Sequence, residues 1–179
     1  ASGTNGLFNF CTGAQSFSAL YTGLAASPNY RYDSVEVVGS KLYFGPFSSS
    51  IPNIGVYDTV AATWSTIPTG VTGAFWGSAA LDNKVYFAPH RAPVIGVLDT
   101  ATDTFTTIAF SLAGTAWYSD ATLVGRRVYF MPSNAVDVGV LDTTTNTFST
   151  IATGFSNSDK WAGAAAVGTK VYGAPRNSN

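Results

Sequence analysis

Lys84-Val85-Tyr86-Phe87-Ala88-Pro89 is written four times along the chain, and that recurrence decides the fold. The other copies are Lys41-Leu42-Tyr43-Phe44-Gly45-Pro46, Arg127-Val128-Tyr129-Phe130-Met131-Pro132 and Lys170-Val171-Tyr172-Gly173-Ala174-Pro175. Their starts at 41, 84, 127 and 170 stand 43 residues apart each time. Tyr32, Phe75, Tyr118 and Trp161 keep the same interval, nine residues ahead of each basic position. Self-similarity at one fixed period marks a repeat architecture. Each copy is almost wholly apolar, as a strand buried on both faces should be, and the closing proline has no N–H to give to a ladder.

A second block follows each of the first three copies. Gly55-Val56-Tyr57-Asp58-Thr59, Gly96-Val97-Leu98-Asp99-Thr100 and Gly139-Val140-Leu141-Asp142-Thr143 lead into Thr63-Trp64-Ser65-Thr66-Ile67, Thr104-Phe105-Thr106-Thr107-Ile108 and Thr147-Phe148-Ser149-Thr150-Ile151. Each repeat therefore predicts four short strands: A (Trp161 to Val167 and its equivalents), B (the Lys-Val-Tyr-Phe run), C (Gly-Val-Leu) and D (Thr-Phe-Ser-Thr-Ile). All are rich in β-branched and aromatic residues and bounded by Gly, Asp, Asn or Pro. A four-stranded antiparallel unit of about 40 to 45 residues, repeated, is a propeller blade. Strand A, next to the axis, carries small residues such as Gly163-Ala164-Ala165-Ala166, where blades crowd together.

The expected fold is all-β, a four-bladed β-propeller forming one domain over residues 1–179. Blade 1 spans 32–67, blade 2 75–108 and blade 3 118–151, while the fourth repeat, 161–175, holds strands A and B alone. Leu7 through Leu20 aligns without gaps onto Val138 through Ile151 and pairs Phe17 with Phe148, so residues 7–20 supply the missing C and D strands. This reading predicts a ring whose last blade is shared between the N- and C-terminal segments, which removes exposed sheet edges.

Composition narrows the function classes. Charged residues are 11% of the chain, against about 25% in ordinary soluble domains, and aromatics are 14%. Net charge is −1 and the nine basic residues are scattered, so no electrostatic footprint for nucleic acid or anionic lipid is visible. No apolar run approaches the roughly 18 residues of a membrane span. Cys11 is the only cysteine, which excludes an internal disulfide and a cysteine-built metal cluster. A start at Ala1 without Met suggests that a targeting segment was removed or that the ends were trimmed.

The combination Lys-Val-Tyr-Phe-Ala-Pro, Val-Gly-Val-Leu-Asp-Thr, Thr-Phe-Ser-Thr-Ile and aromatic-x-Gly-Ala-Ala-Ala-Val resembles a family of kelch-like repeat proteins abundant in unicellular algae. Residues 81–108 and 136–175 match best. The first blade departs, with Tyr57 for Leu and Val35-Glu36-Val37 for the Ala run. The resemblance implies a propeller and an algal source, hence a plastid, thylakoid-associated home, with secretion as the alternative; it implies no activity.

Individual residues favour a binding module over an enzyme. Asp58, Asp99 and Asp142 end strand C before Thr, where a carboxylate accepts turn N–H groups as an Asx-turn. Asp99-Thr100-Ala101-Thr102-Asp103 lacks the Gly and closing Glu of a calcium loop, so no metal is expected, and no cofactor motif occurs. The recurring Tyr43, Tyr86, Tyr129 and Tyr172 and the strand D aromatics Phe17, Trp64, Phe105 and Phe148 suit packing between blades. His90 is the only histidine and no Gly-x-Ser-x-Gly elbow accompanies it, so no catalytic residue is assigned. Asp120 occupies a Gly position beside the axis.

One face stands out, because strand alternation puts the A-to-B and C-to-D turns at one end and the variable B-to-C and D-to-A loops at the other. Phe47 to Asn53 carries a two-residue insertion relative to His90 to Val94, and Gly154 to Lys160 differs from Phe110 to Thr115. Variable loops on a rigid frame carry specificity. The expected contact residues there are His90, Arg91, Asn134, Asp137, Phe155, Asp159, Lys160 and Arg176. Low charge and positive mean hydropathy favour a non-enzymatic accessory subunit docked on other protein subunits, such as a photosynthetic membrane complex. The alternative is a carbohydrate-binding propeller, which should repeat its binding residues from blade to blade.

Overall fold

The computed structural model describes residues 6–11, 16–21, 31–47, 52–111 and 118–177. Its strands are β1 (Gly6–Cys11), β2 (Ser16–Tyr21), β3 (Tyr32–Val38), β4 (Lys41–Pro46), β5 (Asn53–Asp58), β6 (Thr63–Pro68), β7 (Phe75–Leu81), β8 (Lys84–Pro89), β9 (Val94–Asp99), β10 (Thr104–Ala109), β11 (Tyr118–Val124), β12 (Arg127–Pro132), β13 (Val138–Asp142), β14 (Thr147–Ile151), β15 (Trp161–Val167) and β16 (Lys170–Pro175). Every A and B strand pair is joined by a two-residue turn whose first residue has positive φ: Gly39 at 61°, Asp82 at 55°, Gly125 at 59° and Gly168 at 60°. Two-residue hairpins take such conformations because they match the strand twist, and glycine enters them without steric cost.

Three four-stranded antiparallel sheets form in the order β3-β4-β5-β6, β7-β8-β9-β10 and β11-β12-β13-β14. These sheets run over residues 32–68, 75–109 and 118–151. β15-β16 and β1-β2 are two-stranded sheets, and among the described strands no ladder joins β16 to β1. All four A strands carry a bulge one residue from their start, between Tyr32 and Ser34, Phe75 and Gly77, Tyr118 and Asp120, and Trp161 and Gly163. A bulge leaves one residue outside the ladder and re-aims its side chain, so Asp33, Trp76, Ser119 and Ala162 escape the regular alternation.

The core lies between successive sheets. Tyr43, Ile54 and Val56 of one sheet pack on Phe75, Val85, Phe87 and Leu98 of the next. The pattern repeats where Tyr86, Ile95 and Val97 meet Tyr118, Val128, Phe130 and Leu141. Within each sheet the strand C glycine supports two aromatic rings: a Cβ on Gly96 would stand 2.9 Å from Phe105 and 3.1 Å from Phe75. Gly139 lies in the same way beneath Phe148 and Tyr118, as Gly55 does beneath Trp64 and Tyr32. The strand D aromatics Trp64, Phe105 and Phe148 are therefore half-buried packing groups; the Phe17 side chain lies outside what the structure describes.

Among the described residues the A strands pack in the order β3, β7, β11, β15, and the two end strands lack the extensive packing that each successive pair shows. Exposure follows from this. Tyr43 and Tyr86 are 1% and 3% exposed, whereas Tyr172, their equivalent in the last repeat, is 54% exposed. Val35, on the opposite end face, is 51% exposed.

Candidate binding face

The two ends of the sheets differ in chemistry. At the turn end, Asp58 Oδ1 accepts the N–H groups of Val60 and Ala61 at 2.9 Å, Asp99 Oδ1 that of Ala101 at 3.0 Å, and Asp142 Oδ1 that of Thr144 at 3.0 Å. These bonds hold the Asp58 and Asp142 carboxyls below the ordinary carboxylate range. The threonine that follows donates both its N–H and its hydroxyl to the A-to-B turn of the same blade: Thr59 to Ser40 O, Thr100 to Asn83 O and Thr143 to Arg126 O, with hydroxyl distances of 2.7, 2.8 and 2.7 Å. The Asp-Thr pair is thus a tie between two turns. Asp103 is the left-handed residue of its turn, at φ 53°, and no group of three or more metal-ligating side chains occurs among the described residues.

The loop end is different in every blade. Of the eight expected contact residues, His90 and Lys160 lie inside. His90 stacks on Phe47 at 5.8 Å and meets Trp76 edge-on at 4.3 Å. Burial, then the Arg91 charge, lowers its pKa to about 4 against the weak opposing pull of Asp159, so the ring is neutral. Lys160 is 0% exposed. Its Nζ donates to Asn157 O at 2.8 Å and Ser133 O at 3.2 Å and sits 5.9 Å above the Trp161 ring, and desolvation lowers its pKa. Expected on the surface, these two instead brace the loops, because long side chains can retract onto backbone carbonyls or rings that a sequence does not display.

The remaining six lie at the surface or half-exposed. Asn134 Oδ1 accepts the Asp159 N–H at 2.9 Å, and Asp159 takes the Ser133 hydroxyl at 3.2 Å and pairs with Arg176 at 3.9 Å. Phe155, 41% exposed, stands edge-on to Trp161 at 5.7 Å. Arg91 is exposed and Asp137 half-buried. Asn134, Asp159, Lys160 and Arg176 are thereby brought together, whereas Asp137 has no contact with them among the described interactions. Residues 48–51 and 112–117 of the variable loops lie outside the described set.

Sequence reading missed Trp76, Phe47 and Asp33. Trp76 is the bulged residue of its strand, half-exposed, 5.9 Å from Phe47 and 5.9 Å from the Arg176 guanidinium carbon. Three repeats thus converge on it. A signal existed: the bulge position reads Asp33, Trp76, Ser119 and Ala162, four unlike residues in an otherwise regular strand. Asp33 is raised to about 6 by burial first and Asp120 second. Asp120 itself ties neighbouring blades, accepting Ala164 N–H at 2.8 Å across the gap as Glu36 accepts the Ser78 hydroxyl at 3.1 Å. A Cβ on Gly77 would collide with the Asp120 backbone, which explains the glycine beside it.

No protein-family model matches the chain, and no curated protein matches it in sequence. Solved structures match its fold. The WD40 repeats of RRP9 superpose with a TM-score of 0.68 at 11% identity, over 86% of this chain and 46% of that one. U3-55K gives 0.66 at 12% identity, over 83% and 46%. The computationally designed Ika4 protein gives 0.64 at 11% identity, over 87% and 91%. The chain spans less than half the length of the first two. These likenesses establish an all-β, propeller-like arrangement of repeated antiparallel sheets.

Proposed function

We propose that the chain is a non-enzymatic scaffold that docks a protein partner through its loop end, with Arg91, Phe155, Asp159, Arg176 and the half-exposed Trp76 as contacts. One observation carries this reading: the turn end repeats the same Asp-Thr ties in three blades, while the loop end carries a different set of side chains in each. An aromatic and arginine cluster on a rigid frame is the composition of an interface core. A lectin would repeat its sugar contacts by blade, and these do not repeat. Four blades per chain follow if β1-β2 completes the sheet begun by β15-β16.

The test is crosslinking and co-purification from the source cells with two variant sets. Arg91→Glu with Phe155→Ser should release a partner that Arg126→Glu, at the turn end, retains. Equal retention by both sets, or glycan-array binding competed by free sugar, would overturn the proposal.

A further inference from the structure

Among the described strands β16 pairs with β15 alone, and β1 lies in a separate two-stranded sheet. In the three complete blades, strand B meets strand C with a fixed pairing: Phe44 opposite Gly55, Phe87 opposite Gly96 and Phe130 opposite Gly139. Carried to the last repeat by the same spacing, the pairing sets Gly173 opposite Phe8. The aromatic and the glycine have exchanged strands, which preserves one ring over one bare Cα in the pair. Met131 and Trp161 already crowd Gly173, and the aromatic at position 8 is the partner the exchange supplies if β16 and β1 are neighbours.

The end faces point the same way. The Tyr43 hydroxyl stands beside Thr100 of the following blade, and the Tyr86 hydroxyl beside Thr143. By the same interval, exposed Tyr172 requires a blade presenting Thr59, which is blade 1. Blade 1 in turn exposes Val35 on the face whose equivalents, Ser78 and Ala121, are buried against the preceding blade. The two ends are complementary to each other rather than to themselves.

Closure within one chain would place β15 beside β3, and among the described residues they do not pack as successive A strands do. The angle between successive sheets is set by the side chains packed between them. Here it leaves the outer faces of the first and last repeats apart, with Val35 and Tyr172 exposed. Propellers of about four to eight blades are stable rings. We infer that two copies of this chain join head to tail into one closed propeller, the β1-β2 strands of each completing the β15-β16 sheet of the other. The inference rests on the composite fourth blade named above. Because the contact is heterologous and returns on itself after two copies, it closes instead of growing into a fibre.

The test uses the native cysteine. In the other blades the basic residue of strand B faces the strand C aspartate, Lys41 with Asp58, Lys84 with Asp99 and Arg127 with Asp142. In the composite blade Lys170 faces Cys11. Opposed antiparallel residues have Cα atoms about 4.5 to 5.5 Å apart, inside the disulfide range. Under mild oxidation Lys170→Cys should give a linked species of twice 18.7 kDa that reduction returns to one chain, its bridge mapped to Cys11 by mass spectrometry. The unmodified chain should sediment at the two-chain mass. A bridge within one chain would overturn the second copy and keep the composite blade; no bridge to Cys11 would overturn both. A single-chain mass for the unmodified protein would sink the inference even if the variant failed to fold.

Discussion

At the residue scale, a few backbone positions govern the cost of each repeat. Among the described residues, three C-to-D turns end in a left-handed residue, Ala62 at φ 54°, Asp103 at 53° and Asn146 at 55°. That conformation costs roughly 1 to 2 kcal/mol for an ordinary L residue, and Asn enters it more readily. Ala62→Asn should therefore raise stability by about 1 kcal/mol, read from the urea midpoint at unchanged slope. Gly96 illustrates the opposite constraint. Its ring neighbours leave no room for a methyl, so Gly96→Ala should cost about 2 kcal/mol by the same measurement. A cost under 0.5 kcal/mol would mean the Phe105 ring is free to move aside.

At the element scale, the three four-stranded sheets are each closed by an aspartate-threonine turn, and Tyr43 and Tyr86 reach Thr100 and Thr143 of the following sheet. Thr100 serves both, since its hydroxyl bonds Asn83 O and it receives Tyr43. Thr100→Val should cost about 1 kcal/mol, and a double-mutant cycle with Tyr43→Phe should show a coupling that Thr59→Val lacks. Phe105 covers Gly96 and packs against Phe75 and Phe87. It is half-buried, which places Phe105→Ala at about 3 kcal/mol, the lower end for aromatic truncation. A loss below 1 kcal/mol would return the strand D aromatics to the list of free stacking surfaces.

At the scale of the whole molecule, charge beside the axis couples stability to pH. The folded Asp33 pKa, about 6, lies above its ordinary 3.8, so folding favours the protonated form. Its contribution is complete below pH 3.8 and is lost as the pH rises through 6. Asp33→Asn should melt higher than the native chain at pH 7.5 and together with it at pH 3.5. His90 has the reverse sign: its pKa falls from 6.5 to about 4, so its contribution is present above 6.5 and lost as the pH drops through 4. Melting curves that show no Asp33→Asn difference at either pH would mean that the Asp33 carboxyl is as well solvated in the folded chain as in the unfolded one.

The repeat interval, the four-stranded antiparallel unit and the turn role of Asp58, Asp99 and Asp142 were legible in the sequence because each rests on local backbone chemistry and on spacing that a linear text preserves; the tie that each following threonine makes to the A-to-B turn was not. The variable end was legible as a place. Its content was not: whether Lys160 faces water or two carbonyls, and that Trp76 leaves its strand to meet His90, depend on a bulge and on loops from other repeats. Only the tertiary structure decided these, since burial and long-range contact are properties of the packed sheets. It also showed what the repeats alone left undetermined, that the angle between blades keeps the two end faces apart and exposed. Alignment proposed residues 7–20 as the completion of the fourth blade, whose two halves stand in separate sheets, and the angle at which sheets pack, which sets the size of a ring, is encoded by no single repeat.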